Sequence, residues 1–189
     1  MPEHALKEWA VTVEALARGD QVLVVRKGGV GEKRFELPHS RFFLFPTYEH
    51  QRPELVKPGH RDDFRGTLER RDDPDLLPLP AVAELVDSHP IADPEALDAL
   101  DPLHILTPDY AAERLRWRRK QPLWAAVLRV WRCEPPPVLR VRAEHGGCVS
   151  WIDLPDELSV PELAPALDDA AFGRAAEAVE RALAGIAAG

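Results

Sequence analysis

The stretch from Ala5 to Gly29 limits the fold of this chain more than any other. Leu6, Trp9, Val13 and Leu16 recur at steps of three and four, the period of one helix face. The spacing predicts a helix from Ala5 that closes at Gly19, because glycine takes the left-handed conformation with no Cβ to clash. Val22, Leu23, Val24 and Val25 follow as a run rich in β-branched residues, stopped by Gly28 and Gly29. Such a run is a largely buried strand, and it ends in Arg26 and Lys27.

With 189 residues, 45% of them hydrophobic, and five tryptophans, the chain can bury a proper core. Nineteen prolines, many at element boundaries, favour short strands and irregular connections over a helical bundle. The expected class is α+β: one domain over 1–155, then a linker and helix over 156–189 packed on it or on a partner. No apolar run approaches the ~20 residues of a membrane-spanning helix, and the N-terminal Met-Pro-Glu-His lacks a basic region followed by an apolar one. A cytoplasmic protein without a membrane partner is expected. Cys133 and Cys148 are the only cysteines and are expected as free thiols.

The net charge of −8 argues against indiscriminate attachment to nucleic acid, which rests on cations neutralising phosphates. The average conceals an asymmetry. Arg114 to Arg142 holds nine basic residues against the single acid Glu134, whereas Asp153 onward holds eight acids and only Arg174 and Arg181. A basic face on an acidic protein follows.

Further along, Val30 to Pro38 is a polar connection and Arg41 to Thr47 a second strand closed near Pro46. Thr47 is placed to cap a short helix over Tyr48 to Val56, with Pro53 inside it. Gly59 to Pro80 is charged and reads as an exposed loop or solvated hairpin. Pro80 to Asp87 is a third strand, and helices start at Asp93 and Thr107, each followed by proline. Leu123 to Trp131 is apolar on both faces, as a covered central strand should be. Pro135-Pro-Pro137 is a rigid turn, Val138 to Arg142 a half-buried strand with a basic outer face, and Val149 to Leu154 the last strand. An alanine-rich helix over Asp168 to Ile186 carries Phe172, Val179, Leu183 and Ile186 on one side.

This order of elements resembles the PUA-like pseudo-barrels, and most of all their ASCH and EVE branches. The ASCH branch joins its first helix and strand through Gly-x-Lys-x-x-Glu-x-Arg. The matching frame here is Gly19, Gln21, Val24 and Arg26, with a late segment running from Trp131 through Pro135 to Gly146, Gly147 and Trp151. The resemblance implies a PUA-like mixed β-barrel of five or six strands with short flanking helices and a C-terminal helix. Gln21 replaces the family's lysine and Val24 its glutamate. A neutral amide is no base and valine holds no proton, so the hydrolase chemistry of some ASCH proteins is expected to be lost. The phrases Arg26-Lys-Gly-Gly29, Phe43-Leu-Phe-Pro-Thr-Tyr-Glu-His-Gln51 and Gly146-Gly-Cys-Val-Ser-Trp151 also resemble a prokaryotic family known as domain of unknown function eighteen hundred and two. That family brings no activity with it.

Three sets of residues are candidates for chemistry. Arg26, Lys27, Thr47, His50 and Gln51 end two strands expected to be neighbours. Their hydroxyl, imidazole and amide groups can read a base edge while the cations hold phosphate, although strand ends are also often solvated caps. Arg118 and Arg119 lie in a basic run with Trp117 inside it and Trp124 after it, a pattern that can stack single-stranded bases or simply finish a helix. His145-Gly-Gly-Cys148, with Cys133, is too few ligands for structural zinc. A buried thiol is the plainer state of Cys148. Gly28 to Lys33 lacks the spacing of a phosphate loop, and no hydrolase or zinc-protease box occurs. No metal or cofactor is expected.

The leading expectation is a non-catalytic module that binds a nucleotide or a nucleic-acid base, plain or modified, in RNA or DNA. One alternative is a hydrolase of a nucleobase or phosphodiester using His50 with Cys148 or Glu49. The other is a protein-interaction domain that docks through its C-terminal helix.

Overall fold

The computed structural model describes residues 2–27, 39–71, 73–116, 123–147, 149–159 and 161–187. In chain order the strands are β1 (His4–Trp9), β2 (Leu23–Lys27), β3 (Arg41–Thr47), β4 (Leu76–Pro78), β5 (Ala81–Ile91), β6 (Leu123–Glu134), β7 (Val138–Arg140), β8 (Trp151–Asp153) and β9 (Glu162–Pro165). The helices are α1 (Ala10–Arg18), α2 (Arg61–Glu69), α3 (Pro94–Leu100), α4 (Pro108–Arg116) and α5 (Asp169–Ala187).

The first expected helix is two elements. His4–Trp9 is a strand paired in parallel with β3 and antiparallel with β8, and only Ala10–Arg18 is helical. Leu6 and Trp9 share the three-and-four spacing of Val13 and Leu16 by coincidence. What separates them is that every residue from Ala5 to Trp9 is buried, which a central strand covered on both faces allows. The helix does end at Gly19, whose φ is +81°. Its N–H donates to the Leu16 carbonyl at 3.1 Å, and the Asp20 N–H donates to the Ala15 carbonyl at 2.9 Å. A Cβ there would also lie 2.6 Å from Leu167, so two independent constraints select glycine.

β2, β6, β5, β3, β1 and β8 pair in that order, and β9 adds to β6 as the seventh strand of the sheet. β6 is long enough to serve two partners on one edge. It pairs with β2 over Leu123 to Val127 and with β9 over Trp131 to Glu134, while its other edge runs along β5. The expected class, α+β, holds. The expected closure does not: among the described residues no pairing joins the outer strands β2 and β8, so the sheet is open. β4 and β7 form a separate two-stranded ribbon.

Strand alternation sorts β3 between two cores. Phe42 and Leu44 join Leu6, Val13, Leu16 and Val24 under α1. Phe43 and Phe45 join Leu77, Leu139 and Ile152 beneath the ribbon. A third core holds Leu97, Leu100 and Leu123 with Phe172 and Val179 of α5, so the apolar side of the C-terminal helix is spent on the sheet and on α3.

Three further expectations change. Tyr48 to Val56 forms only a 3-10 turn over Pro53–Leu55, since proline has no N–H to continue a helix. The charged segment after Gly59 contains α2, which buries Phe64 and Thr67 and leaves its many charges in water. Trp131 is not deep core: its ring is half-buried between the guanidinium groups of Arg41 and Arg129, 5.2 and 5.7 Å from the ring centre.

Candidate functional site

Lys7 and Glu8 are the two charges of β1, and both are under a tenth exposed. Adjacent strand residues point to opposite faces of a sheet. Lys7 goes to the ribbon side, where its Nζ donates to the carbonyl oxygens of His145 at 2.8 Å and Gly147 at 3.0 Å. Its ammonium also lies 3.6 Å from the half-exposed carboxylate of Glu49 and 5.6 Å from the centre of the Phe45 ring. Those contacts replace the water that a buried ammonium gives up.

Lys7 lines a cleft of about 260 Å³ bounded by the end of β3, the Tyr48–Glu49 turn, Leu77 of β4 and the loop after β7. Phe45, Tyr48, Leu77 and Val141 make its apolar walls, and Thr47, Arg71, Arg142 and His145 its polar ones. The Arg71 guanidinium lies 4.7 Å from the centre of the Tyr48 ring, within cation–π range. Burial pushes the Tyr48 phenol up from its ordinary pKa, so it is neutral and a hydrogen-bond donor at physiological pH. Arg142 is exposed, 3.6 Å from Glu144.

His145 ends a 3-10 turn over Ala143–His145, and its Nδ1 accepts the Arg142 backbone N–H at 3.2 Å. Burial lowers its pKa. A neutral imidazole whose Nδ1 is an acceptor carries its proton on Nε2. Nε2 lies 3.9 Å from the exposed Glu144 carboxylate.

Of the five strand-end residues expected to form one ring, only Thr47 lines this cleft. The premise was that β2 and β3 are neighbours, but β6 and β5 lie between them. Arg26 is buried on the Glu8 side, donating to the Lys7 carbonyl at 2.7 Å and lying 3.5 Å from the Glu8 carboxylate. Lys27 is buried, its Nζ donating to the Leu115 carbonyl at 3.2 Å. His50 is exposed with a φ of +59°. Gln51 accepts the Val11 N–H at 3.4 Å through its Oε1, near the start of α1. Arg118, Arg119, Trp117 and Cys148 lie outside the described residues.

Gln21 and Val24, which stand where ASCH proteins have lysine and glutamate, are structural here. The Gln21 amide donates to the Leu23 carbonyl at 2.6 Å and accepts the Ile105 N–H at 3.0 Å, and Val24 is core. Beside them a small space of about 10 Å³ is lined by Glu8, Thr12, Gln21, His104 and Tyr110 among others, room for about one water molecule. Burial pushes His104 down to about 4 and raises Tyr110.

Among the described residues no group of three or more His, Cys, Asp or Glu side chains could hold a metal, and no helix is long and apolar enough to cross a membrane. Cys133 is buried and free, with its thiol pushed up to about 11 by desolvation, which removes the thiolate a nucleophile needs. Sequence reasoning missed Lys7, Tyr48 and Arg71 as site residues. The available signal was a lysine and a glutamate amid small and apolar residues from Ala5 to Trp9, a run that strand burial explains.

None of the curated proteins matches the chain. In three dimensions it is similar to the ASCH protein of Zymomonas mobilis, with 16% identity over 82% of this chain and 88% of that one and a TM-score of 0.47. A serine-to-alanine mutant of that protein matches at 13% identity over 83% and 93%, with a TM-score of 0.46. The family model for the domain of unknown function DUF1802 matches residues 5–178, nearly the whole chain. This protein therefore belongs to the DUF1802 family.

Proposed function

We propose that the Lys7 cleft binds a nucleotide, or a base of single-stranded nucleic acid, without transforming it. The observation that carries this reading is a buried ammonium at one wall of a 260 Å³ cleft, with a tyrosine beside it and two exposed arginines at the rim. Each element matches a part of the ligand. An aromatic face stacks a base whatever its identity, the Arg71 and Arg142 guanidinium groups suit phosphate, and Lys7, Thr47 and His145 reach ring substituents. On an acidic protein, binding is confined to where cations are gathered. Catalysis is not favoured, because the imidazole in the cleft presents a proton instead of a free lone pair and so is not poised as a base. A bacterial, cytoplasmic setting belongs to the same reading.

Fluorescence anisotropy with labelled single-stranded RNA and DNA across a salt series tests it. Arg71→Ala and Arg142→Ala should each flatten the slope of log affinity against log salt by about 0.7 if each removes one phosphate contact. Tyr48→Ala should weaken binding by roughly 1–3 kcal/mol. No binding of wild type to RNA, DNA or a mononucleotide at low salt overturns the reading.

A further inference from the structure

Resting on that reading, we infer that the cleft selects its ligand by a hydrogen-bond acceptor: an oxygen of the ligand seats between Lys7 Nζ and His145 Nε2, and an amino group at that place is rejected. The argument is a count of donors and acceptors. The two backbone acceptors nearest Lys7 are already engaged, since the carbonyl oxygens of His145 and Gly147 both take protons from Nζ. The ammonium has three protons and these two carbonyls use two. His145 Nδ1 takes the Arg142 N–H, which leaves Nε2 as a donor in the neutral ring, with the exposed Glu144 carboxylate 3.9 Å away, beyond hydrogen-bond distance. Thr47 Oγ1 accepts the Glu49 N–H at 3.3 Å and keeps its hydroxyl proton to donate, with one lone pair to spare. Two donor residues, Lys7 and His145, and the Thr47 hydroxyl therefore line one cleft. The one acidic side chain lining the cleft is Glu49, half-exposed and 3.6 Å from the Lys7 ammonium.

Burial lowers the His145 pKa, which keeps the ring in this donor form at neutral pH. A ligand that placed its own N–H against these groups would set donor against donor and leave buried groups unpaired, a loss that discriminates far more strongly than a change of size. The acceptor can be the keto oxygen of a uracil-like or guanine-like base or an oxygen of a terminal phosphate. Both present the same chemistry to Lys7 and His145.

Calorimetric titration at pH 7.5 with uridine, cytidine, uridine 5′-monophosphate and inorganic phosphate separates the sources. Keto recognition predicts that uridine binds at least about tenfold tighter than cytidine, with inorganic phosphate failing to compete. Phosphate recognition predicts that inorganic phosphate displaces the monophosphate while the two nucleosides bind equally weakly. Under keto recognition His145→Phe and Lys7→Met should each shrink the uridine preference, and Thr47→Val, a near-isosteric change, should do so with least risk to folding. Under phosphate recognition the same variants should weaken phosphate competition. Uridine and cytidine bound equally well, with no competition from phosphate, overturns the inference and leaves the nucleotide reading standing. A wild-type protein that binds neither the nucleosides nor the monophosphate nor single-stranded polymers overturns the reading itself.

Discussion

Lys7 and Glu8 are consecutive, equally buried and opposite in charge, yet they belong to different kinds of surroundings. Glu8 faces the interior beneath α1, where Arg26 lies 3.5 Å away and the adjoining space holds about one water. Lys7 faces the ribbon side, where two carbonyl oxygens steady it and a cleft about twenty-five times larger opens beside it. A buried charge closed on a counter-charge is a structural element whose removal is felt in stability. A buried charge held by two neutral dipoles and by a half-exposed counter-charge, Glu49 at 3.6 Å, beside an open volume keeps electrostatic reach toward a ligand. The difference lies in what surrounds each residue, since residue type and burial fail to separate them.

The largest expected effect is on the closed side. Arg26→Met leaves the Glu8 carboxylate buried and uncompensated, which should cost ~3–5 kcal/mol in chemical denaturation. The double variant Glu8→Leu, Arg26→Met should recover most of that loss, because it removes both charges together. A single variant as stable as wild type would show that Glu8 is not held by Arg26.

Next comes the pH dependence of that same interior. His104 titrates at about 4 in the folded protein, chiefly because burial disfavours its charged form. The unfolded chain titrates near the ordinary histidine value of about 6.5. Between these values the unfolded state binds a proton that the folded state refuses, so stability is full above about 6.5 and falls as the pH drops towards 4. The loss is about 3 kcal/mol. His145 on the cleft side acts in the same direction. In His104→Asn the urea midpoint should change less between pH 7 and pH 4.5 than in wild type. An equally steep fall would place the pH sensitivity elsewhere.

The smallest stability effect belongs to the cleft. Lys7→Met keeps most of the apolar stem and frees two carbonyl groups that water in the cleft can reach, so a cost of about 1–2 kcal/mol is expected. A loss as large as that of Arg26→Met would erase the distinction between the two faces.

How much of this was legible beforehand follows from how local each signal is. The strands at 23–27, 41–47 and 123–134 announce themselves as apolar β-branched or aromatic runs. Gly19 closes α1, and Asp93 caps α3 by accepting the Ala96 N–H at 2.9 Å. α2 was hidden because two buried residues, Phe64 and Thr67, are too few to impose a visible period on a charged segment. β1 was hidden because a strand buried on both faces shows no alternation, and Leu6 and Trp9 happen to extend the phase of the helix after it. That one misreading also concealed the site, since Lys7 on an imagined helix has no reason to meet His145, 138 residues away. Sheet order is wholly non-local. With β6 and β5 between β2 and β3, Arg26 and Lys27 could not join Thr47, and nothing within either strand says so.

The central claim is that ligand binding belongs to the Lys7 face and not to the Glu8 face. It is tested most directly by titrating uridine 5′-monophosphate into wild type, Tyr48→Ala and His104→Asn at pH 7.5, with folding of each verified by thermal melting. The account predicts that Tyr48→Ala weakens binding by at least about fivefold, the low end of a lost base–aromatic stack, while His104→Asn binds as wild type does. A folded Tyr48→Ala variant with wild-type affinity, or a folded His104→Asn variant that has lost the ligand, would contradict it.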